Sequence, residues 1–135
     1  MDLKQAVGQK SQIYTLPPDP ARVEAFARAI GTMVEDEVCP TWITVCREGE
    51  FELLKKLGVP LAQVLHGEQE YQYLRPIKKA DPMTYRTVLS QVMEKRGSHA
   101  MMTFMIFESE IFCGSDQDRP AALSRSTLIY RELAK

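Results

Sequence analysis

The sequence has few of the residues that mark metal-binding or nucleophilic proteins. Its 135 residues include two histidines, His66 and His99, and three cysteines, Cys39, Cys46 and Cys113. The histidines lie far apart and the cysteines form no CxxC pair, so neither a metal site nor a disulfide framework is expected. The thiols read as small buried apolar residues in a reducing compartment. Cys39 alone, beside an expected helix start that lowers thiol pKa, is a candidate nucleophile. An excess of one charge is also missing. Lys and Arg number 17 against 18 Asp and Glu, a net charge of −1. Without a basic surplus to neutralise phosphates, no nucleic-acid partner is expected. No apolar run approaches the roughly 20 residues of a membrane-spanning helix. The N-terminal MDLKQAVGQK lacks the apolar stretch of a secretion signal. The expectation is a cytoplasmic protein with no membrane partner.

The residues that are present suit one ordinary globular domain, with 44% hydrophobic and 26% charged residues. Residues 1–10 show no apolar periodicity and read as a loose tail, leaving 11–135 as the domain. Gln12–Leu16 suits a short strand. Asp19-Pro20 is a helix start, with Asp as N-cap and Pro at the first position. Val23, Phe26, Ala27 and Ile30 give that helix one apolar face, and Gly31 fits its end. A second, long helix is expected from Pro40, with Ile43, Cys46, Leu53, Leu54 and Leu57 in phase. Gly49 interrupts it, and Gly58-Val59-Pro60 ends it. The period then changes to two. Strands are expected from Ala62 to the Pro76 region, Met83–Lys95, His99–Phe112 and Ala121–Glu132, joined mostly by short turns. Helices followed by a strand meander give an α+β class.

Two segments carry a family resemblance. One is Cys39-Pro40-Thr41-Trp42 at the expected start of the second helix. The other is LHGEQEYQYLRPIKKAD, with His66-Gly67-Glu68-Gln69 on the following strand and Arg75-Pro76 and Ala80-Asp81 in its turn. With Ala29-Ile30-Gly31 they resemble the MaoC-like dehydratases, particularly their N-terminal, FAS1-like dehydratase domain. That resemblance implies a hot-dog fold, a long central helix wrapped by a curved antiparallel sheet. It also implies acyl-thioester ligands on coenzyme A or acyl carrier protein, with no metal and no dissociable cofactor. Catalytic relatives carry an Asp and a His in a GDxNPxH motif before the helix. Here the stretch between Gly31 and Pro40 reads TMVEDEVC, without His, Asn-Pro or Gly-Asp. The resemblance therefore points to the non-catalytic half of such enzymes, as a homodimer or a heterodimer with a catalytic hot-dog subunit.

No residue is assigned as catalytic outright, although His66 could act as a base with Glu68 as its orienter, since residues two apart on a strand share a face. Cys39, Pro40, Thr41, Trp42, His66 and Gly67 are the candidate substrate-binding residues, and backbone N–H groups at the helix start would polarise the thioester carbonyl. Gly67 inside a strand also signals a bulge or a close backbone approach. Glu35, Asp36 and Glu37 suit a positive helix end. Met101, Met102 and Met105 are core or tunnel residues. Arg75, Lys78 and Lys79 are candidates for the phosphates of a carrier arm.

Overall fold

The computed structural model describes residues 2–133. Its centre is a five-stranded antiparallel sheet in the order β1-β3-β4-β5-β2. The strands are β1 (Tyr14–Leu16), β2 (Val64–Tyr73), β3 (Met83–Arg96), β4 (Ala100–Cys113) and β5 (Ala122–Leu133). Two helices, α1 (Pro20–Ala29) and α2 (Glu48–Lys56), complete the α+β architecture expected from the sequence. Asp19 caps α1 as anticipated, its Oδ1 accepting from the Arg22 N–H at 3.1 Å. Gly31 follows the helix at φ +81°, a conformation that costs glycine little.

One face of the sheet is covered. Tyr85, Ile111 and Ala122 pack with Val23, Trp42 and Ile43. Leu89, Met105, Phe107 and Leu128 pack with Leu53, Leu54 and Leu57 of the α2 region. Between these clusters runs a polar row. Thr87 pairs with Ser109 and Ser109 with Ser124 across neighbouring strands. The Thr87 and Ser109 hydroxyls lie 2.7 Å apart, both buried. Pairing these hydroxyls offsets the desolvation that each would otherwise suffer.

The second helix differs from its expected form. Trp42–Val45 is a four-residue 3-10 turn, and α2 proper starts only at Glu48. Gly49 belongs to the first turn of α2, where it allows close approach to the sheet. A Cβ at this position would collide with Thr87 Oγ1 and sit 2.7 Å from Thr87 Cβ and 2.9 Å from Ser11 Oγ.

The N-terminal segment is not a loose tail. Leu3–Ala6 forms a 3-10 turn, and Ala6 is buried. Gly8 N–H donates to Leu89 O at 2.8 Å, and Leu89 N–H donates to Gln9 O at 3.0 Å. Apolar periodicity could not reveal this, because the segment is held by backbone hydrogen bonds along the edge of β3 rather than by a repeating apolar face.

Glu52 ties this edge to α2. Its Oε1 accepts from Tyr14 Oη at 2.7 Å and from Gln12 N–H at 3.1 Å, while Lys56 Nζ lies 3.1 Å from Oε2. The Tyr14 hydroxyl, with help from Gln12 and Lys56, holds the Glu52 carboxyl below its ordinary value of 4.5. A depressed carboxyl stabilises the fold above its unfolded pKa and loses that contribution as pH falls through the folded value. The protection factors of the amides in residues 12–16 should therefore fall on acidification below about pH 4.5. Glu52→Gln should remove most of that acid dependence. An unchanged profile in Glu52→Gln would refute the assignment.

Candidate functional site: the His66 edge and the Trp42 corner

β2 is an edge strand, and its pairing to β5 is irregular. Val64, Leu65 and His66 oppose Tyr130, Ile129 and Leu128, but Glu68 opposes Thr127. Gly67 is thus the extra residue of a bulge, which reverses the face alternation beyond it. His66 and Gln69 point to the helix-covered face with Leu128 and Ser126, whereas Glu68 points to the other. The absent side chain suits the crowding, since a Cβ on Gly67 would lie 3.0 Å from Ile129 Cδ1. The bulge expected from Gly67 is present, and it dissolves the expected His66–Glu68 pair.

Gln69 takes the place of Glu68. His66 Nε2 lies 3.0 Å from Gln69 Oε1. Ser126 Oγ donates to the same oxygen at 2.7 Å. Gln69 Nε2 donates to Ser124 Oγ at 2.9 Å and to the Arg125 carbonyl at 3.4 Å. The two serines are the β2 end of the polar row. Gln69 stands in the sequence only as the last residue of the family phrase, and Ser124 and Ser126 carry no signal of their own there. Their signal was Gly67, once the phase change it imposes is carried through to residue 69.

The Cys39–Trp42 corner lies at the other cluster. Cys39 and Trp42 are buried. Trp42 meets Phe26 edge-on at a centroid distance of 5.4 Å, and the Arg22 guanidinium sits 5.8 Å from its ring centroid. Tyr73 Oη donates to Pro40 O at 2.6 Å. The expected helix start is absent here. Trp42 N–H donates to Cys39 O at 2.9 Å, Thr44 N–H donates to Thr41 O at 3.1 Å, and α2 begins beyond. Even the first N–H of α2, at Glu48, donates to Tyr85 Oη at 3.1 Å. A helix-end dipole aimed at a carbonyl near Thr41 and Trp42 is therefore not part of this structure. Cys39 consequently lacks the helix N-terminus that motivated its nucleophile reading. Cys46 is a core thiol, pushed up to about 12 by burial. The cavity beside Trp42, lined by Pro18, Arg22, Lys78 and Lys79, holds about 120 Å³, below the roughly 300 Å³ at which ligand pockets begin.

The segment from Gly31 to Pro40 is stitched to the β2–β3 connection. Val38 N–H donates to Ile77 O at 2.9 Å, and Lys79 N–H donates to Asp36 O at 2.8 Å. Asp36 Oδ2 pairs with Lys78 Nζ at 3.2 Å, and Glu24 Oε1 pairs with Lys79 Nζ at 2.6 Å. Arg75 is committed elsewhere, with Nη1 donating to Cys113 Sγ at 3.4 Å and Nη2 to the carbonyls of Cys113, Asp116 and Arg119 at 3.1, 3.2 and 3.4 Å. The three cations expected to meet a carrier arm thus each have a partner. His99 sits exposed at the β3–β4 turn, far along the sequence from the acids of residues 35–37. Met105 is core, while Met101 and Met102 are half-buried.

A groove of about 940 Å³ also runs along the opposite, outer face of the sheet, where Arg86, Glu108, Glu110 and Arg125 alternate with Val88, Phe112 and Leu123.

A family model for the FAS1-like dehydratase domain region matches residues 5–118, most of the chain. The chain belongs to this family. The UPF0336 protein of Streptomyces avermitilis is 26% identical over 100 residues, covering 72% of this chain and 61% of that relative. The chain thus spans about three-fifths of the length of that curated relative. Among solved structures, the HadBC (3R)-hydroxyacyl-ACP dehydratase complex of Mycobacterium tuberculosis superimposes with a TM-score of 0.71 at 14% identity, over 92% of this chain and 96% of that one. HtdX of the same organism gives a TM-score of 0.70 at 21% identity, over 89% of this chain and 51% of that one. At these identities the likeness establishes the hot-dog fold. That fold, its five-stranded antiparallel sheet and its associated helix agree with the sequence reading, although the helix is shorter than expected.

Proposed function

We propose that this FAS1-like dehydratase domain is the non-catalytic, substrate-tunnel subunit of a (3R)-hydroxyacyl-thioester dehydratase or enoyl hydratase. It pairs with a hot-dog chain that supplies the Asp and the His. The supporting observation is the segment from Gly31 to Pro40. It contains no histidine, and the carboxylate of Asp36 is spent on Lys78. A hydratase needs a positioned base within hydrogen-bond reach of its water or α-carbon. The reading in which His66 and Glu68 act together loses its geometric basis at the Gly67 bulge. The description of HadBC as a complex, and the match of this chain to half of HtdX, both favour a second hot-dog unit as partner. The open edge of β2 and the half-exposed Leu61 and Leu65 beside it offer a pairing surface. The candidate substrate residues fall into two groups, the corner from Cys39 to Trp42, where Cys39 and Trp42 are buried and Pro40 and Thr41 exposed, and His66 with Gly67 at the edge. The edge group is the one we assign to ligand contact.

The purified chain should not hydrate crotonyl-CoA above background. Mixed with a hot-dog chain bearing the Asp/His motif, it should restore turnover and elute as a dimer. Turnover by the isolated chain that disappears in His66→Ala would overturn the proposal. A monodisperse 15.4 kDa monomer, indifferent to such a partner, would count equally against it. Acyl-CoA binding without a partner or turnover would leave a non-enzymatic acyl-CoA-binding or assembly module as the function.

A further inference from the structure

The Gly67 bulge turns His66 toward Gln69, and the surroundings of Gln69 then fix the state of the imidazole. A carbonyl oxygen only accepts hydrogen bonds. The Arg125 carbonyl, 3.4 Å from Gln69 Nε2, therefore sets the amide orientation, with the nitrogen toward Arg125 and the oxygen toward His66. The serines fit this orientation, Ser126 Oγ donating to Oε1 and Ser124 Oγ accepting from Nε2. With Gln69 Oε1 at 3.0 Å, the neutral imidazole must carry its proton on Nε2. Nδ1 is left as a lone-pair acceptor. Among the described residues it has no hydrogen-bond partner, and the side chain lies exposed on the edge strand.

We infer that His66 Nδ1 is the hydrogen-bond acceptor of the ligand site, and that it takes an amide N–H of the pantetheine arm. This rests on the acyl-thioester reading above and assigns a role within it. The thioester carbonyl presents no N–H or O–H donor, and the C3 hydroxyl of a (3R)-hydroxyacyl chain belongs, under that reading, to the Asp and His of the catalytic partner, whereas the pantetheine arm carries two amides. That arm is common to coenzyme A and acyl carrier protein. An acceptor held on a rigid strand by three side chains recognises such a donor without prior reorganisation. His66 is thus a positioning residue for the carrier, with no proton transfer asked of it.

The test separates the two ring nitrogens. Asparagine places its amide near the position of Nδ1, whereas glutamine reaches the position of Nε2. Decanoyl-CoA and S-decanoyl-pantetheine are titrated calorimetrically into the wild-type chain, His66→Asn and His66→Gln. His66→Asn should stay within about twofold of wild type. His66→Gln should weaken both ligands about three- to tenfold, the range of one neutral hydrogen bond. Equal loss for both ligands locates the contact on the shared arm, and loss for decanoyl-CoA alone overturns that location. A weakened His66→Asn beside an unaffected His66→Gln, or equal affinities or equal losses in both variants, overturns the role of Nδ1. Nitrogen NMR of the free chain should show His66 protonated on Nε2 at neutral pH, and a proton on Nδ1 refutes the tautomer. Failure of the wild-type chain to bind either ligand, alone or with its catalytic partner, sinks the acyl-thioester reading itself.

Discussion

Arg75→Met should lower stability by about 2–4 kcal/mol, reading as a fall of roughly 7–14 °C in Tm for a chain of this size. The guanidinium of Arg75 is a fork inserted under the β4–β5 loop. It holds the thiol of Cys113 and the carbonyls of Cys113, Asp116 and Arg119 at once. Hydrogen bonds from a charged donor contribute more than neutral ones, and truncation leaves several acceptors without a partner. The loss stays well below the sum of four bonds because the residue is only partly buried. Arg75→Lys should recover little, since an ammonium cannot reproduce the planar fork that reaches three carbonyls. Urea denaturation measures the loss, and amide exchange should localise it to residues 114–121. A Lys variant as stable as wild type would show that charge alone is needed there.

The second large effect is expected at Gly49. Helix propensity taken alone favours Ala over Gly by up to about 1 kcal/mol. The contact with the sheet opposes it. An added methyl lands on Thr87, whose hydroxyl also pairs with Ser109. Overpacking of this kind costs roughly 1–3 kcal/mol, and a disturbed buried hydrogen bond about 1 kcal/mol more. Gly49→Ala should therefore lose about 1–3 kcal/mol net, and Gly49→Val more, because its branches have nowhere to turn. In a double-mutant cycle, Thr87→Ala should relieve part of the loss by removing the nearest atom, giving a favourable coupling of about 1 kcal/mol. Strict additivity, or a stabilised Gly49→Ala, would mean that α2 does not rest on Thr87.

Much of the architecture was written in local signals. The Asp19 cap, the Gly31 terminus and the period-two runs of β3, β4 and β5 each rest on interactions within or between neighbouring segments. Those interactions depend on residue type and spacing. The family phrase around His66 was legible for the same reason. The 3-10 turn at Trp42 was not. Apolar spacing alone does not distinguish one continuous helix from a turn followed by a shorter helix. Here the contact of Gly49 with Thr87 and the bond from the Glu48 N–H to Tyr85 set where α2 begins.

At the site, the sequence by itself determined the residue inventory. It supplied two histidines, no Asp/His motif between Gly31 and Pro40, and a glycine inside the HGEQ strand. Only the tertiary structure decided which of these residues meet. Strand alternation puts His66 beside Glu68. One extra residue in the pairing of β2 with β5 moves Glu68 to the far face and brings Gln69 under the imidazole. Ser124 and Ser126, more than fifty residues away along the chain, then complete the array. A bulge is a property of two strands in register, so its consequence for a third residue becomes visible only when both strands are in place.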